Sequence, residues 1–156
     1  MLNPDELDRL DSLSRALRQA LESRLPPGTW TERVRDSLEI HIPARHAETG
    51  DITATVKPGQ VTLSVGRYFL CHFPLDRHEQ LAPDQAELAV ARDTAQYIAD
   101  FLADRIVLRV SWRKGRLCSA ETYARGIRVS PPTPEDREYA WSGPLDGQYG
   151  ADSAPA

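Results

Sequence analysis

The chain has few of the residues that form covalent cross-links or bind metals, since its 156 residues include only two cysteines and four histidines. Cys71 and Cys118 have no motif spacing, so we expect two buried, reduced thiols rather than a disulfide. No apolar run approaches the ~20 residues of a membrane span, and the N-terminus lacks the cationic segment and apolar run of a secretory signal. These absences predict a cytoplasmic protein that does not enter a membrane.

Sequence motifs of catalysis and nucleotide binding are also missing. There is no Gly-x-Ser-x-Gly elbow, His-Glu-x-x-His pair, P-loop or Gly-x-Gly-x-x-Gly turn. Cys71, His72 and His78 come nearest to a zinc ligand set, but adjacent residues of a strand point to opposite faces, so Cys71 and His72 do not share a metal. We therefore expect no cofactor and no catalytic residue, with a site assembled from distant residues as the alternative that one sequence does not reveal.

The overall composition is that of one globular domain, with 40% hydrophobic and 27% charged residues. The net charge of −4 argues against nucleic acid as a partner, because phosphate contacts dominate such binding. Arginine heavily outnumbers lysine and alanine is frequent, which is typical of a bacterial gene of high GC content.

Hydrophobic spacing predicts two helices and five strands. Asn3 and Pro4 begin a helix whose leucines recur on one face until Pro26, and a second helix spans about 84–104. The run 68–73 is almost continuously apolar, which predicts burial on both faces, and turns are expected at 57–60 and at Lys114-Gly115. The fold class is α+β, with an antiparallel five-stranded sheet and two helices in the order α-β-β-β-α-β-β. The strands are 38–42, 52–56, 61–65, 106–112 and 117–123.

A change of composition near residue 129 predicts the end of the folded domain. We expect residues 1–129 to form a single α+β domain and residues 130–156 to form a proline- and glycine-rich C-terminal tail that is partly docked or disordered. Tyr139 and Trp141 favour docking over a sheet edge, and a detached linear motif for a partner is the alternative. Residues 151–156 are expected to be disordered.

The order of the predicted elements, from about Asn3 to Tyr123, resembles that of type III secretion chaperones, which are also small and acidic. The resemblance is one of element order. It implies a secretion chaperone or adaptor that forms a homodimer. A proline-rich tail stands here where those chaperones usually end in another helix.

One candidate contact surface is acidic. Asp93, Gln96, Asp100 and Asp104 recur at near-helical spacing, opposite the apolar face of the second helix. They form either a solvated helix face or a recognition surface for a basic protein, where complementary charge accelerates encounter.

The other candidate surface is basic. Arg109, Arg113, Lys114 and Arg116 concentrate positive charge on the predicted hairpin, where Arg113 should face Arg116. This charge either guards an edge hairpin against aggregation or contacts phosphate, RNA or an acidic protein. Trp141 in the tail is a further candidate for the contact with a partner.

Together these features predict a noncatalytic protein-binding module. We expect a bacterial immunity or antitoxin-type inhibitor whose partner is another protein, a toxin or effector. A secretion chaperone or adaptor, as a possible homodimer, is the alternative reading, followed by a small enzyme.

Overall fold

The computed structural model describes residues 2–127 and 130–145. Within them the chain forms three α-helices, one 3-10 helix and nine strands in two antiparallel sheets. The predicted α+β fold class with an antiparallel five-stranded sheet is confirmed. In chain order the elements are α1 (Pro4–Asp8), α2 (Ser12–Glu22), β1 (Thr31–Val34), β2 (Leu38–Ile42), β3 (Ile52–Lys57), β4 (Gln60–Val65), β5 (Phe69–Pro74), the 3-10 helix (Leu75–His78), α3 (Pro83–Leu102), β6 (Ile106–Arg113), β7 (Arg116–Ala124), β8 (Asp136–Ala140) and β9 (Gly143–Pro144).

The first predicted helix is divided into α1 and α2. Asn3 and Glu6 form a capping box at the start of α1. Asp11 then caps α2 by accepting a hydrogen bond from the amide of Ser14 at 2.7 Å, and a side chain that caps in this way competes with continuation of the preceding helix. No helix among residues 2–127 and 130–145 has the length and apolar character needed to cross a membrane.

The five-stranded sheet is a meander in which each strand pairs with the next along the chain. The predicted turn at 57–60 is confirmed, because β3 ends at Lys57, β4 begins at Gln60, and these two residues are register partners. Alternate side chains of the sheet are buried, and α2 and α3 pack against each other over that apolar face. The core is formed by Leu13, Leu17, Leu21, Ile40, Ile42, Ile52, Val56, Leu63, Val65, Ile98 and Phe101.

A close approach of two backbones supports the end of this sheet. The amide of Gly66 donates to the carbonyl of Asp51 at 2.7 Å. A Cβ atom on Gly66 would lie 2.6 Å from the carbonyl oxygen of Thr49, and one on Gly50 would lie 2.5 Å from the Cα atom of Gly66. Only glycine fits at either position, and Gly66 lies in the turn between β4 and β5.

The two hairpin strands predicted for the first sheet belong to a second sheet. That sheet has the order β7-β6-β8-β9, so β5 is left at the edge of the five-stranded sheet. The prediction that 68–73 is buried on both faces is wrong, because β5 alternates in exposure and Leu70 is 59% exposed. Aromatic contacts join the sheets, since Tyr68 packs against Trp112 and Tyr139 at ring-centroid distances of 6.1 and 6.4 Å.

The segment after residue 130 supplies one inner strand and one edge strand of the second sheet, β8 and β9. β8 pairs with β6, and β9 pairs with β8. The indole of Trp141 is therefore not a surface contact as predicted, because it is 5% exposed and packs edge-on against Phe101 with ring centroids 6.0 Å apart. The predicted domain boundary at residue 129, and residues 146–156 of the predicted tail, lie outside the described residues.

Substitution of this indole measures how firmly the segment is held. Trp141→Ala is expected to lower the free energy of unfolding by about 3–5 kcal/mol, because it removes a large buried ring and leaves a cavity. The measurement is urea denaturation followed by far-UV circular dichroism. Ser142→Ala, at the exposed neighbour, serves as the control and should cost less than about 0.5 kcal/mol. A similar small loss for both variants would contradict the observed packing.

Candidate protein-binding surface

A tight turn positions the hairpin of β6 and β7. Lys114 and Gly115 both have positive φ, +51° and +73°, which is the conformation of a type I′ two-residue turn. The predicted turn at these residues is confirmed, and Arg113 faces Arg116 across it. The twist of this turn matches that of the two strands that it joins.

β7 is an edge strand of the second sheet. The alternation of its hydrogen bonds to β6 shows which of its main-chain groups point away from β6. The amide of Arg125 donates to the carbonyl of Arg105 at 2.7 Å. Hydrogen-bonded and non-hydrogen-bonded pairs alternate along an antiparallel ladder. The main-chain N–H and C=O groups of Ala120, Thr122 and Ala124 therefore point away from β6. No strand among the described residues pairs with this side.

An irregularity lies between this free edge and the turn. Ser111 faces Ser119 and Trp112 faces Leu117, so Cys118 is an extra residue in β7. The extra residue is a β-bulge, which bends the strand and increases its twist. The thiol of Cys118 is exposed, so the prediction that both thiols are buried is wrong for Cys118.

The tip of the hairpin carries uncompensated positive charge. Arg113, Lys114 and Arg116 are all exposed. None of the ion pairs formed within residues 2–127 and 130–145 includes any of the three. We call these three residues the basic tip.

Arg109 was predicted to share this basic surface, but it is buried. It is 4% exposed, and its Nε and Nη2 atoms donate to Oε1 of Glu138 at 3.0 and 2.8 Å. Nη1 and Nη2 also donate to the hydroxyl and the carbonyl of Ser130. Burial lowers the pKa of Arg109, but hydrogen bonds to Glu138 and Tyr123 outweigh burial and leave that pKa above its usual value. Arg109 thus holds β6 to β8 and is not available to a partner.

The Arg109 contact extends to neighbouring polar groups. The hydroxyl of Tyr123 donates to the same Oε1 atom of Glu138, and burial together with this hydrogen bond raises the pKa of Tyr123 to about 12. Ser111 donates to Asp136 at 2.6 Å. Burial raises the pKa of Asp136, but the hydrogen bonds that it accepts outweigh this effect, so the pKa lies below its usual value. These groups are structural ties within the second sheet.

The predicted acidic stripe lies on α3 and at its C-terminal end, and each of its three carboxylates already has a polar partner. Oδ2 of Asp93 lies 3.0 Å from Nε2 of His78. Asp100 accepts hydrogen bonds from Gln96 at 3.1 Å and from the Arg105 guanidinium at 3.0 Å. Asp104 accepts a hydrogen bond from the backbone amide of Ser142 at 2.8 Å. A basic partner would have to displace these contacts, which makes the stripe the weaker of the two candidate surfaces.

A cleft of about 740 Å³ runs between α3 and the last residues of β7. The Tyr97 hydroxyl donates to Oγ1 of Thr122 at 2.7 Å and joins the two walls. Burial raises the pKa of Tyr97 to about 12, so the phenol keeps its proton at neutral pH. The cleft is lined by Tyr97, Asp100, Asp104, Arg105, Ile106, Thr122, Tyr123, Ala124 and Arg125.

The residues considered for metal or thiol chemistry do not converge. Cys71 faces the core side of β5, whereas His72 is exposed and lies 3.1 Å from the hydroxyl of Thr62. Burial raises the pKa of Cys71 to about 11, which disfavours the reactive thiolate. Within the described ranges, no three histidine, cysteine or acidic side chains form a group with metal-ligand geometry.

Two features of the site were not predicted. The partner of Arg109 has a weak signal in the sequence, because an arginine between Leu108 and Val110 in an apolar strand needs a buried counter-charge. The cleft has no local signal, since it depends on where the end of α3 lies relative to β7.

Removal of the buried ion pair tests its structural role. Arg109→Ala is expected to lower the free energy of unfolding by about 3–5 kcal/mol, because it leaves the Glu138 carboxylate buried without its partner. Urea denaturation gives the loss, and Arg109→Met/Glu138→Leu should recover most of it. Arg105→Ala removes an exposed pair and should cost less than about 1 kcal/mol. Equal losses for Arg109→Ala and Arg105→Ala would contradict this role.

The two thiols should differ in reactivity. At neutral pH iodoacetamide should modify Cys118 at least ~10-fold faster than Cys71, because Cys118 is exposed while burial raises the pKa of Cys71 to about 11. Peptide mass spectrometry at timed intervals gives the two rates. In guanidinium chloride the rates should converge, and rapid labelling of native Cys71 would contradict its burial.

The chain was compared with protein-family models, with curated proteins and with solved structures, and no comparison finds a match. No relative therefore assigns a role to any of these residues. The inference of function depends on the surface itself, on its free edge, its uncompensated charge and its cleft.

Proposed function

We propose that this chain is a noncatalytic protein-binding module that acts as an immunity or antitoxin-type inhibitor in the bacterial cytoplasm. The observation that supports this proposal best is the free edge of β7, which ends in the uncompensated charge of the basic tip. Unpaired main-chain groups on an edge strand are a template for pairing with another chain. A folded protein that keeps such an edge exposed fits a role in protein recognition.

The charge of the basic tip favours an acidic partner surface. The chain as a whole carries −4, so the tip is a local exception to its acidic average. Opposite charge on the partner accelerates encounter and rejects partners of the wrong sign. An inhibitor that must find its target soon after synthesis benefits from this steering.

A secretion chaperone or adaptor is the second candidate. Leu81 and Leu88, before and within the first half of α3, are large apolar side chains that remain exposed. Burial of these side chains against a second copy would be favourable, because it removes apolar surface from water. Light scattering separates the candidates, because a stable dimer at micromolar concentration supports a chaperone and a monomer supports the inhibitor.

Charge reversal at the basic tip tests the proposed function. Arg113→Glu/Arg116→Glu is expected to weaken partner binding by about 10-fold or more, because rim charges govern encounter and like charges repel. The tagged full chain is used to capture its partner from lysate of the native cells, and the affinity of the purified pair is then measured by calorimetry. The partner's own activity should fall when wild type is added.

The control is a second double variant with the same change in net charge. Arg35→Glu/Lys57→Glu reverses two exposed cations that lie outside the hairpin, and it should leave binding unchanged. Equal weakening by both double variants would show a general charge effect and contradict the proposed surface. Capture of no stoichiometric partner by wild type would contradict the function itself.

A further inference from the structure

We infer that the partner supplies an extended, acidic segment that adds as a fifth strand to the second sheet, along the free edge of β7. This inference rests on the protein-binding role proposed above and specifies how the partner is held. Strand addition uses main-chain hydrogen bonds for affinity and flanking pockets for selectivity.

The free edge provides the main-chain groups for such an addition. Ala120, Thr122 and Ala124 direct their N–H and C=O groups outward, and a strand places successive groups of this kind about 6.8 Å apart. The carbonyl of Ala124 already accepts a hydrogen bond from the amide of Ile127 at 3.0 Å. An added segment would therefore form paired hydrogen bonds at Ala120 and Thr122 and a single one to the N–H of Ala124. Each such bond makes a modest net contribution to affinity, and several together are enough for selective binding.

The cleft beside the edge receives side chains of the added segment. Thr122 and Ala124 form one wall of the cleft, while Tyr97 and Asp100 of α3 form the other. Side chains of a strand alternate between its two faces, so every second residue of the segment would point toward the rings and aliphatic groups that line the cleft. Small or medium-sized apolar side chains fit its volume of about 740 Å³.

Charge identifies the chemistry of the segment at its other end. A strand laid along Ala120–Ala124 continues toward the basic tip, where three neighbouring cations form no ion pair within the described part of the chain. Aspartate or glutamate in that part of the segment would compensate them. The bulge at Cys118 increases the twist of β7 between Ala120 and the basic tip.

The other strand edges are less suited to this role. β5 also lies at an edge of its sheet, but Pro74 ends it without an N–H group, and the 3-10 helix follows at once. β1 has four residues and β9 has two, against nine in β7. β7 is thus the longest strand edge in residues 2–127 and 130–145, and it ends in the basic tip.

One substitution removes an outward hydrogen-bond donor and leaves the native ladder intact. Ala124→Pro deletes the outward N–H of an exposed residue, which the pairing with β6 does not use, and proline is tolerated at such edge positions. Ala124→Val keeps the N–H and is the matched control. Thermal unfolding followed by circular dichroism confirms that both variants are folded.

The probe is a displayed library of random dodecapeptides selected on the wild-type full chain. Selected peptides should be enriched in aspartate and glutamate, should bind wild type and Ala124→Val equally, and should bind Ala124→Pro about 10-fold more weakly. Synthetic peptides measured by fluorescence anisotropy give these affinities. Equal binding to all three proteins, or selection without acidic enrichment, would overturn the inference.

A second measurement avoids any change to the protein. Methylation of alternate backbone nitrogens in a selected peptide removes the N–H groups that the peptide would donate to β7. Binding should weaken by about 10-fold when the methylated nitrogens face β7. Methylation at the intervening positions is the control. Equal affinities of the two methylated peptides would overturn strand addition even if Ala124→Pro failed to fold.

The native partner separates failure of this inference from failure of the proposed function. Capture of the partner by wild type and equally by Ala124→Pro would overturn strand addition while the binding role stands. Capture by wild type and Ala124→Val, with about 10-fold loss for Ala124→Pro, supports both. Capture of no partner by wild type would overturn the binding role, and strand addition would fall with it.

Discussion

The ion pair between Arg109 and Glu138 determines how the second sheet is assembled. Charges removed from water must be paired and hydrogen-bonded, so burial of one requires the other. Arg109 lies in the centre of β6, and its partner comes from β8, 29 residues later. The contacts of Arg109 to Ser130 hold the start of the returning segment on the same side. Once β8 occupies the inner side of β6, the outer side belongs to β7, and β7 becomes the free edge.

Local sequence patterns predict the helices and strands far better than they predict which strands pair with each other. The turns at Lys114-Gly115 and at 57–60 and the long helix α3 follow from residue types within a few positions of one another. The assignment of strands to two sheets depends on contacts between residues that are distant in the sequence. One is the ion pair of Arg109 with Glu138, and the other is the stacking of Tyr68 on Tyr139. The hydrophobic periodicity of the strands does not indicate either contact. The same limit explains the split first helix, where the side chain of Asp11 outweighs a continuous leucine pattern.

In the candidate site, the sequence likewise shows where the charged residues lie but not which of them are paired. The sequence places acidic residues on α3 and basic residues on the hairpin, and both placements are correct as positions. The structure shows which of these side chains have partners, because Asp100 contacts Arg105 and Asp93 contacts His78. Arg113 and Lys114 contact no carboxylate within the described residues. The surface with unused charge is therefore the hairpin tip, and only folding distinguishes it from the stripe on α3.

The charges of the basic tip also affect whether two copies of this protein associate through β7. An exposed nine-residue edge strand invites pairing with the same strand of another copy. An antiparallel pairing of two copies would carry Arg125 of the second copy toward Lys114 and Arg116 of the first, so like charges would meet at both ends. Self-association is thereby penalised at the same edge that remains open to an acidic chain.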